Sequence, residues 1–239
     1  MAYIINIETS TEVCSVALSN NGEMQLLRES DEGLNHSKLL PLFIDEIFKE
    51  TGLRAKFIDA IAVSMGPGSY TGLRIGVSLA KGLCYSLDIP LIAIGTLDAM
   101  GIYTGNNIKK YSGGMDMIQN DLLCCPMIDA RRMEVYTALY NLRGEKIEDV
   151  NARIIREDTF SKYLEQHQIM FFGNGSTKCK TILNHPNALF NGPLKNSARF
   201  MLELAENKFN SEEFEDVAYF EPFYLKDFIA TVPVNKIIK

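Results

Sequence analysis

An apolar strand ending on an acid, a short turn, a second strand, an Asn/Gly hairpin and a third strand occur twice in this chain. The first copy runs Tyr3-Ile4-Ile5-Asn6-Ile7, Glu8, Thr9-Ser10-Thr11, Val13 to Leu18, Asn20-Asn21-Gly22 and Met24 to Arg28. The second runs Leu122 to Ile128, Asp129, Ala130-Arg131-Arg132-Met133, Glu134 to Tyr140, Asn141-Leu142-Arg143-Gly144 and Glu145 to Val150. Self-similarity at about half the chain length points to a duplicated α/β unit, with Glu8 and Asp129 in matching places. Three consecutive antiparallel strands exclude a plain doubly wound sheet, where a helix follows the first strand. The 239 residues suit one large domain or two small ones. The division expected is 1–104 and 105–239. A Gly-, Asn- and Lys-rich linker spans Thr104 to Asn120 between them, and the last helix, about 197–207, packs back on the first half.

The most unusual stretch is Met65-Gly66-Pro67-Gly68-Ser69-Tyr70-Thr71-Gly72-Leu73-Arg74-Ile75-Gly76. It follows the apolar run Ala60 to Ser64, read as a buried strand, and precedes a proline-free helix from Gly72 to Leu87. A strand, a glycine loop and a helix are the usual setting for a phosphate at a helix N-terminus. Both common spacings fail. No lysine stands where a P-loop needs one, and Gly66, Gly68 and Gly72 give G-x-G-x-x-x-G instead of the dinucleotide G-x-G-x-x-G. The strand Leu91 to Ile94 ends on Gly95, with no acid for a ribose. The helix itself is apolar nearly all round. Arg74, Ser78, Lys81 and Tyr85 make a narrow polar stripe, and Gly72, Gly76 and Ala80 a stripe almost without side chains. Such a helix has to be covered on more than one side, either by its own core or by another chain.

A second helix is predicted from the N-cap Asn35 to Thr51, with Gly52 as its stop. Leu39, Leu40, Phe43, Ile44, Ile47 and Phe48 give it a large apolar face. Further helices are expected at Thr96 to Tyr103, Thr159 to His167 and from Gly173-Asn174-Gly175-Ser176 to Leu183, the last again without a P-loop lysine. Tyr219 to Leu225 is an aromatic segment that must dock somewhere.

Twenty-four Lys and Arg against thirty Asp and Glu leave a net charge of −6. Phosphate affinity rests on clustered basic side chains, so this chain is a poor lone binder of nucleic acid. Five cysteines without C-x-x-C spacing argue against a disulfide scaffold or a zinc site, and Cys124 and Cys125 in a strand point to opposite faces. His36, His167 and His185 are far apart, with no H-x-x-x-H. The start lacks a basic n-region and no run approaches eighteen apolar residues, so no membrane contact and a cytoplasmic location are expected.

Two β-β-β-α-containing halves with an acid after each first strand resemble the actin/hexokinase/Hsp70 (ASKHA) class, an α/β fold of two similar halves, each a mixed sheet flanked by helices. Within it the chain resembles the TsaB (YeaZ) family. The resemblance is carried by Ile7 to Thr11 with Ser15 to Leu18, Gly66 to Gly76, Asp129 to Arg132 with Glu134 to Tyr136, and Pro222 to Leu225. It implies a non-catalytic relative of the transferase TsaD that pairs with TsaD and recruits the small ATPase TsaE. The assembly would move threonylcarbamoyl from its adenylate to N6 of the adenosine beside the tRNA anticodon. ATP and a metal ion are then expected on TsaD and TsaE, with no cofactor or metal required by this chain. A homodimer is expected when TsaD is absent, and tRNA is reached only through the complex. The glycoprotease label often attached to the family has no chemistry here, because neither metal ligands nor a nucleophile–base constellation appears. One departure is Glu8, where the class usually has Asp; the extra methylene would displace a metal-ordering carboxylate.

On this reading no residue is catalytic. Leu39, Leu40, Phe43, Ile47, Leu73, Val77 and Lys81, on the helices 35–51 and 72–87, are the expected partner contacts. Gly66, Gly68, Thr71, Gly72, Arg74 and Gly76 shape the glycine loop. Glu8, Thr9, Ser10, Asp129, Gly173 and Gly175 would line a degenerate nucleotide cleft. The alternative is an ASKHA-type ATP-dependent small-molecule kinase using that cleft, with a metallopeptidase a distant third.

Overall fold

A computed structural model describes residues 2–33, 35–111 and 122–226. In the first half, β1 (Tyr3–Glu8), β2 (Cys14–Asn20) and β3 (Glu23–Ser30) form an antiparallel meander. Helix α1 (His36–Thr51) leads to β4 (Ala60–Gly66), α2 (Tyr70–Leu87) to β5 (Leu91–Gly95), and α3 (Thr96–Asn106) follows. β4 pairs parallel with both β1 and β5, so the sheet order is β3-β2-β1-β4-β5. After α4 (Ile108–Tyr111) the second half repeats the plan with β6 (Leu122–Asp129), β7 (Glu134–Asn141), β8 (Lys146–Ile154), α5 (Ser161–Leu164), β9 (Gln168–Phe172), α6 (Ser176–Cys179), β10 (Ala188–Leu189) and α7 (Leu202–Asn210). Its order, β8-β7-β6-β9-β10, has the same polarity pattern. Glu8 and Asp129 close the equivalent strands β1 and β6.

The sheets are buried on both faces, which is why their central strands read as unbroken apolar runs. Ile5, Ile7, Val16, Ile61 and Val63 face outward under α1 and α2. Ile4, Ala62, Ile92 and Ile94 face inward, where α3 and the segment Phe200 to Ala205 fill the space before Cys124, Tyr140, Met170 and Phe172 of the second sheet. Leu123, Cys125, Val135 and Phe171 form the outer face of that sheet with Leu164 and Cys179. Cys124 and Cys125 therefore do lie on opposite faces.

Several expected boundaries move. α2 begins at Tyr70, two residues early, because Ser69 caps it: the Gly72 N–H donates to Ser69 Oγ over 3.2 Å. Asn35 makes no side-chain cap, although Gly52 ends α1 in the left-handed conformation as expected. The start of the expected linker is helical, through α3 and α4, and its residues 112–120 lie outside the described residues. The helices read at 159–167 and 174–183 shrink to four residues each, their flanks held in turns. The helix expected near 197–207 starts as a 3-10 turn at Ala198–Phe200 and continues as α7.

Candidate functional site

The glycine loop joins β4 to α2 and lies on the β1–β2 turn. A Cβ at Gly68 would stand less than 3.0 Å from Ser10 O, one at Gly72 equally close to Thr9 O, and one at Gly76 to Thr9 Oγ1. The Ser69 N–H, a donor that a phosphate cradle would keep free, is bonded to Ser10 O at 2.6 Å. The stripe of small residues at 72 and 76 is thus filled by this chain's own turn and not by another chain. Gly66, at φ +114°, passes against Phe223 O, whereas Thr71 is exposed at the edge of the cleft.

A cleft of about 560 Å³ separates the halves, walled by Ser10, Glu12, Tyr70, Asp129, Arg131 and Tyr224 among others. Of the six residues expected to line it, only Ser10 and Asp129 do. Glu8 is fully buried behind the turn. Its Oε1 accepts the Ser10 N–H at 2.6 Å, while Oε2 has no hydrogen-bond partner among the described residues. Burial pushes its carboxyl above the ordinary range, against the opposing pull of the hydrogen bond from Ser10. Thr9 is buried as well, its N–H on Ser64 Oγ. Gly173 and Gly175 serve close packing: a Cβ at Gly173 would meet Met127 O, and the Gly175 N–H donates to that same carbonyl. Asp129 accepts from Lys178 Nζ at 2.5 Å and from the Arg131 N–H at 2.7 Å. The halves are tied across the cleft by Asn174, which accepts from the Asp129 N–H and donates to Glu12. Neither Asn174, which stands between the two glycines, nor Lys178, three residues past Gly175, is among the residues expected to line the cleft.

The expected partner contacts need correction. Leu40, Phe43, Ile47 and Val77 belong to the core between the helices and the first sheet, and Leu73 is fully buried beside Gly66. Leu39 is half-buried on the same core, as Ile75, Leu79 and Leu83 are, so of the aliphatic and aromatic contacts expected it alone keeps an open side. Lys81 is used internally: its Nζ donates to Ala218 O and Phe220 O, each at 3.0 Å, and so holds the C-terminal segment with Phe220 inserted into the core. What α1 and α2 turn outward is another set. Leu42 is 46% and Tyr85 86% exposed, and Ile75, Leu79 and Leu83 are half-buried. Between the helices runs a groove of about 330 Å³ lined by Ser37, Leu40, Pro41, Arg74, Ile75, Ser78 and Leu79. The aromatic segment docks beyond it, where the Phe223 N–H bonds Met65 O and Tyr224 packs on Tyr70 with ring centroids 4.7 Å apart and planes inclined by 37°.

Among the described residues no group of three or more His, Cys, Asp or Glu is placed to hold a metal ion. His36 is buried with Nε2 3.3 Å from Val13 O. All five cysteines are buried and free, and burial pushes the Cys14, Cys84 and Cys124 thiols up to about 12, far from thiolate formation at neutral pH. No helix among the described residues is long and apolar enough to cross a membrane.

Two β-β-β-α-β-α-β-α units facing one another across a cleft define a duplicated fold of the ASKHA class. A family described as "TsaD: tRNA N6-adenosine threonylcarbamoyltransferase" matches residues 32–233. The tRNA threonylcarbamoyladenosine biosynthesis protein TsaB of Haemophilus influenzae is 26% identical over 94% of this chain and 93% of its own length. The Bacillus subtilis protein of the same name is 29% identical over 75% of this chain and 74% of its own. The solved structure of YeaZ from Pseudomonas aeruginosa superposes with a TM-score of 0.72 at 26% identity, over 94% of this chain and all of that one. The chain belongs to the TsaD family so described and, within it, to the TsaB (YeaZ) family.

Proposed function

We propose that this chain is a non-catalytic scaffold subunit in tRNA threonylcarbamoyladenosine biosynthesis. It docks on TsaD through the outer face of α1 and α2, and TsaE joins at the junction. The assembly then transfers threonylcarbamoyl from threonylcarbamoyl-AMP to N6 of the adenosine next to the anticodon. ATP and a metal ion act on TsaD and TsaE, tRNA is reached only through the complex, and the chain pairs with itself when TsaD is missing. Its place is the cytoplasm. The role in this biosynthesis rests on the family, whose members carry it in their names. The observation that carries the scaffold reading is the groove between α1 and α2, with Ile75 and Leu79 half-exposed in its lining. Partly exposed aliphatic side chains around a concave site are what a helical partner covers.

The kinase alternative fares worse on the cleft. Glu8, the acid that would order a metal, is sealed behind Ser10, and Asp129 is neutralised by Lys178. The test is reconstitution. Purified TsaD and TsaE with threonylcarbamoyl-AMP and tRNA should transfer efficiently only when this chain is added, and Leu79→Asp should abolish the gain. Transfer unaffected by its omission would overturn the reading.

A further inference from the structure

Arg74 stands between the groove and the cleft. It lines the groove, while Tyr70 and Tyr224, which hold it, line the cleft. Its guanidinium carbon lies 4.2 Å from the Tyr70 ring centroid and 5.9 Å from that of Tyr224, and its Nε donates to Tyr224 Oη at 3.2 Å. Arg74 makes no salt bridge among the described residues, although Glu221 is near enough to be felt. An arginine stacked on one ring and pinned through Nε to the hydroxyl of another has lost much of its rotamer freedom. Its terminal nitrogens are not used in that hydrogen bond. The planar fork matches a carboxylate in two-point geometry.

We propose that Arg74 is a preorganised receptor for a carboxylate carried by the subunit that docks on the α1–α2 groove. The occupant is therefore an apolar helix that places one Asp or Glu beside the groove end of α2. This deepens the docking reading above and rests on it. Charge complementarity fixes the sign: Arg74 is the one charged side chain among the seven that line the groove, and the other six are two serines and four aliphatic residues. Preorganisation matters because ordering a long side chain on binding ordinarily opposes association. Here the two tyrosines have already ordered it.

The test is the affinity of the full-length chain for TsaD, measured by titration calorimetry at several salt concentrations. Arg74→Met is expected to weaken binding by about tenfold or more and Arg74→Glu by still more, as for truncated interfacial charge pairs. Tyr224→Phe, which removes only the pinning hydroxyl, should weaken it by roughly threefold. The readout that mere packing would not move is salt. Wild-type affinity should fall with ionic strength, and Arg74→Met should flatten that slope. An affinity independent of salt in the wild-type chain overturns the carboxylate, whatever the variants do. Leu79→Asp separates the two levels. If it abolishes binding while Arg74→Glu stays within twofold of wild type, the groove stands and the Arg74 assignment falls. If neither has an effect, both fall.

Discussion

Alanine at Gly72 and alanine at Gly82 are the same chemical change in the same helix, and they should act in opposite directions. Both positions lie within α2, where replacing glycine by alanine gains about 1 kcal/mol from backbone entropy and helix propensity. At Gly82 the new methyl meets nothing among the described residues within 4 Å beyond its own stretch of helix, so that gain should appear in full. At Gly72 the methyl would stand less than 3.0 Å from the carbonyl oxygen of Thr9. A backbone atom cannot swing aside as a side chain does. Relief would require moving the β1–β2 turn, which is itself pinned by Ser69 N–H on Ser10 O. Overpacking of this kind costs about 3 kcal/mol or more, leaving a net loss of about 2 kcal/mol after the helix gain. Equilibrium urea unfolding and calorimetry measure both. For a chain of this size the midpoints should shift by roughly +3 °C for Gly82→Ala and roughly −6 °C for Gly72→Ala. Equal midpoints for the two variants would refute the claim that the glycine stripe is filled by the Thr9–Ser10 turn. It would also return that stripe to the list of surfaces open to a partner.

Three further changes follow from the same contacts. Glu8 keeps its proton in the folded state to higher pH than in the unfolded chain, so stability should fall as pH rises from its ordinary value of 4.5 through the raised folded one. Glu8→Gln should therefore unfold at higher urea than wild type at pH 8, with the gap closing toward pH 4; a gap that widens at low pH would contradict the burial argument. Phe43→Asp places a charge in the core beneath α1, so it should destabilise the isolated chain by about 3 kcal/mol or more, visible in its melting curve before any partner is added. Lys81→Met removes the clamp on Ala218 and Phe220. Amide exchange should then quicken across 218–224 while α2 itself is unchanged, and uniform exchange in both proteins would mean the clamp is incidental.

The duplicated plan was legible because it is written locally. Short apolar strand runs, the Asn-Gly hairpin at 21–22 and an acid at the end of each first strand need no knowledge of tertiary contacts. The two outer helices were legible as helices for the same reason. Which of their faces turns inward was not, because α2 is apolar nearly all round and periodicity cannot rank two apolar stripes. Leu73 and Val77, expected as partner contacts, lie inward, while Ile75 and Leu79, two residues on from each, are half-exposed. Lys81 and Arg74 belong to one narrow polar stripe in the sequence pattern of α2. Their partners, Phe220 and Tyr224, lie 139 and 150 residues away, and no local signal announces such pairings. The cleft was misread for a related reason. The motif Glu8-Thr9-Ser10 shows donors and acceptors, but only the packing of Gly68 and Gly72 against it reveals that Glu8 and Thr9 are sealed in.

Hydroxyl-radical footprinting of the chain, free and mixed with TsaD, most directly tests whether it works through the outer face of α1 and α2. Leu42, Ile75 and Leu79 should lose reactivity in the complex, while Tyr136 in the cleft keeps its own. Protection confined to the cleft, with the α1–α2 groove as reactive as in the free chain, would contradict the scaffold reading at its root.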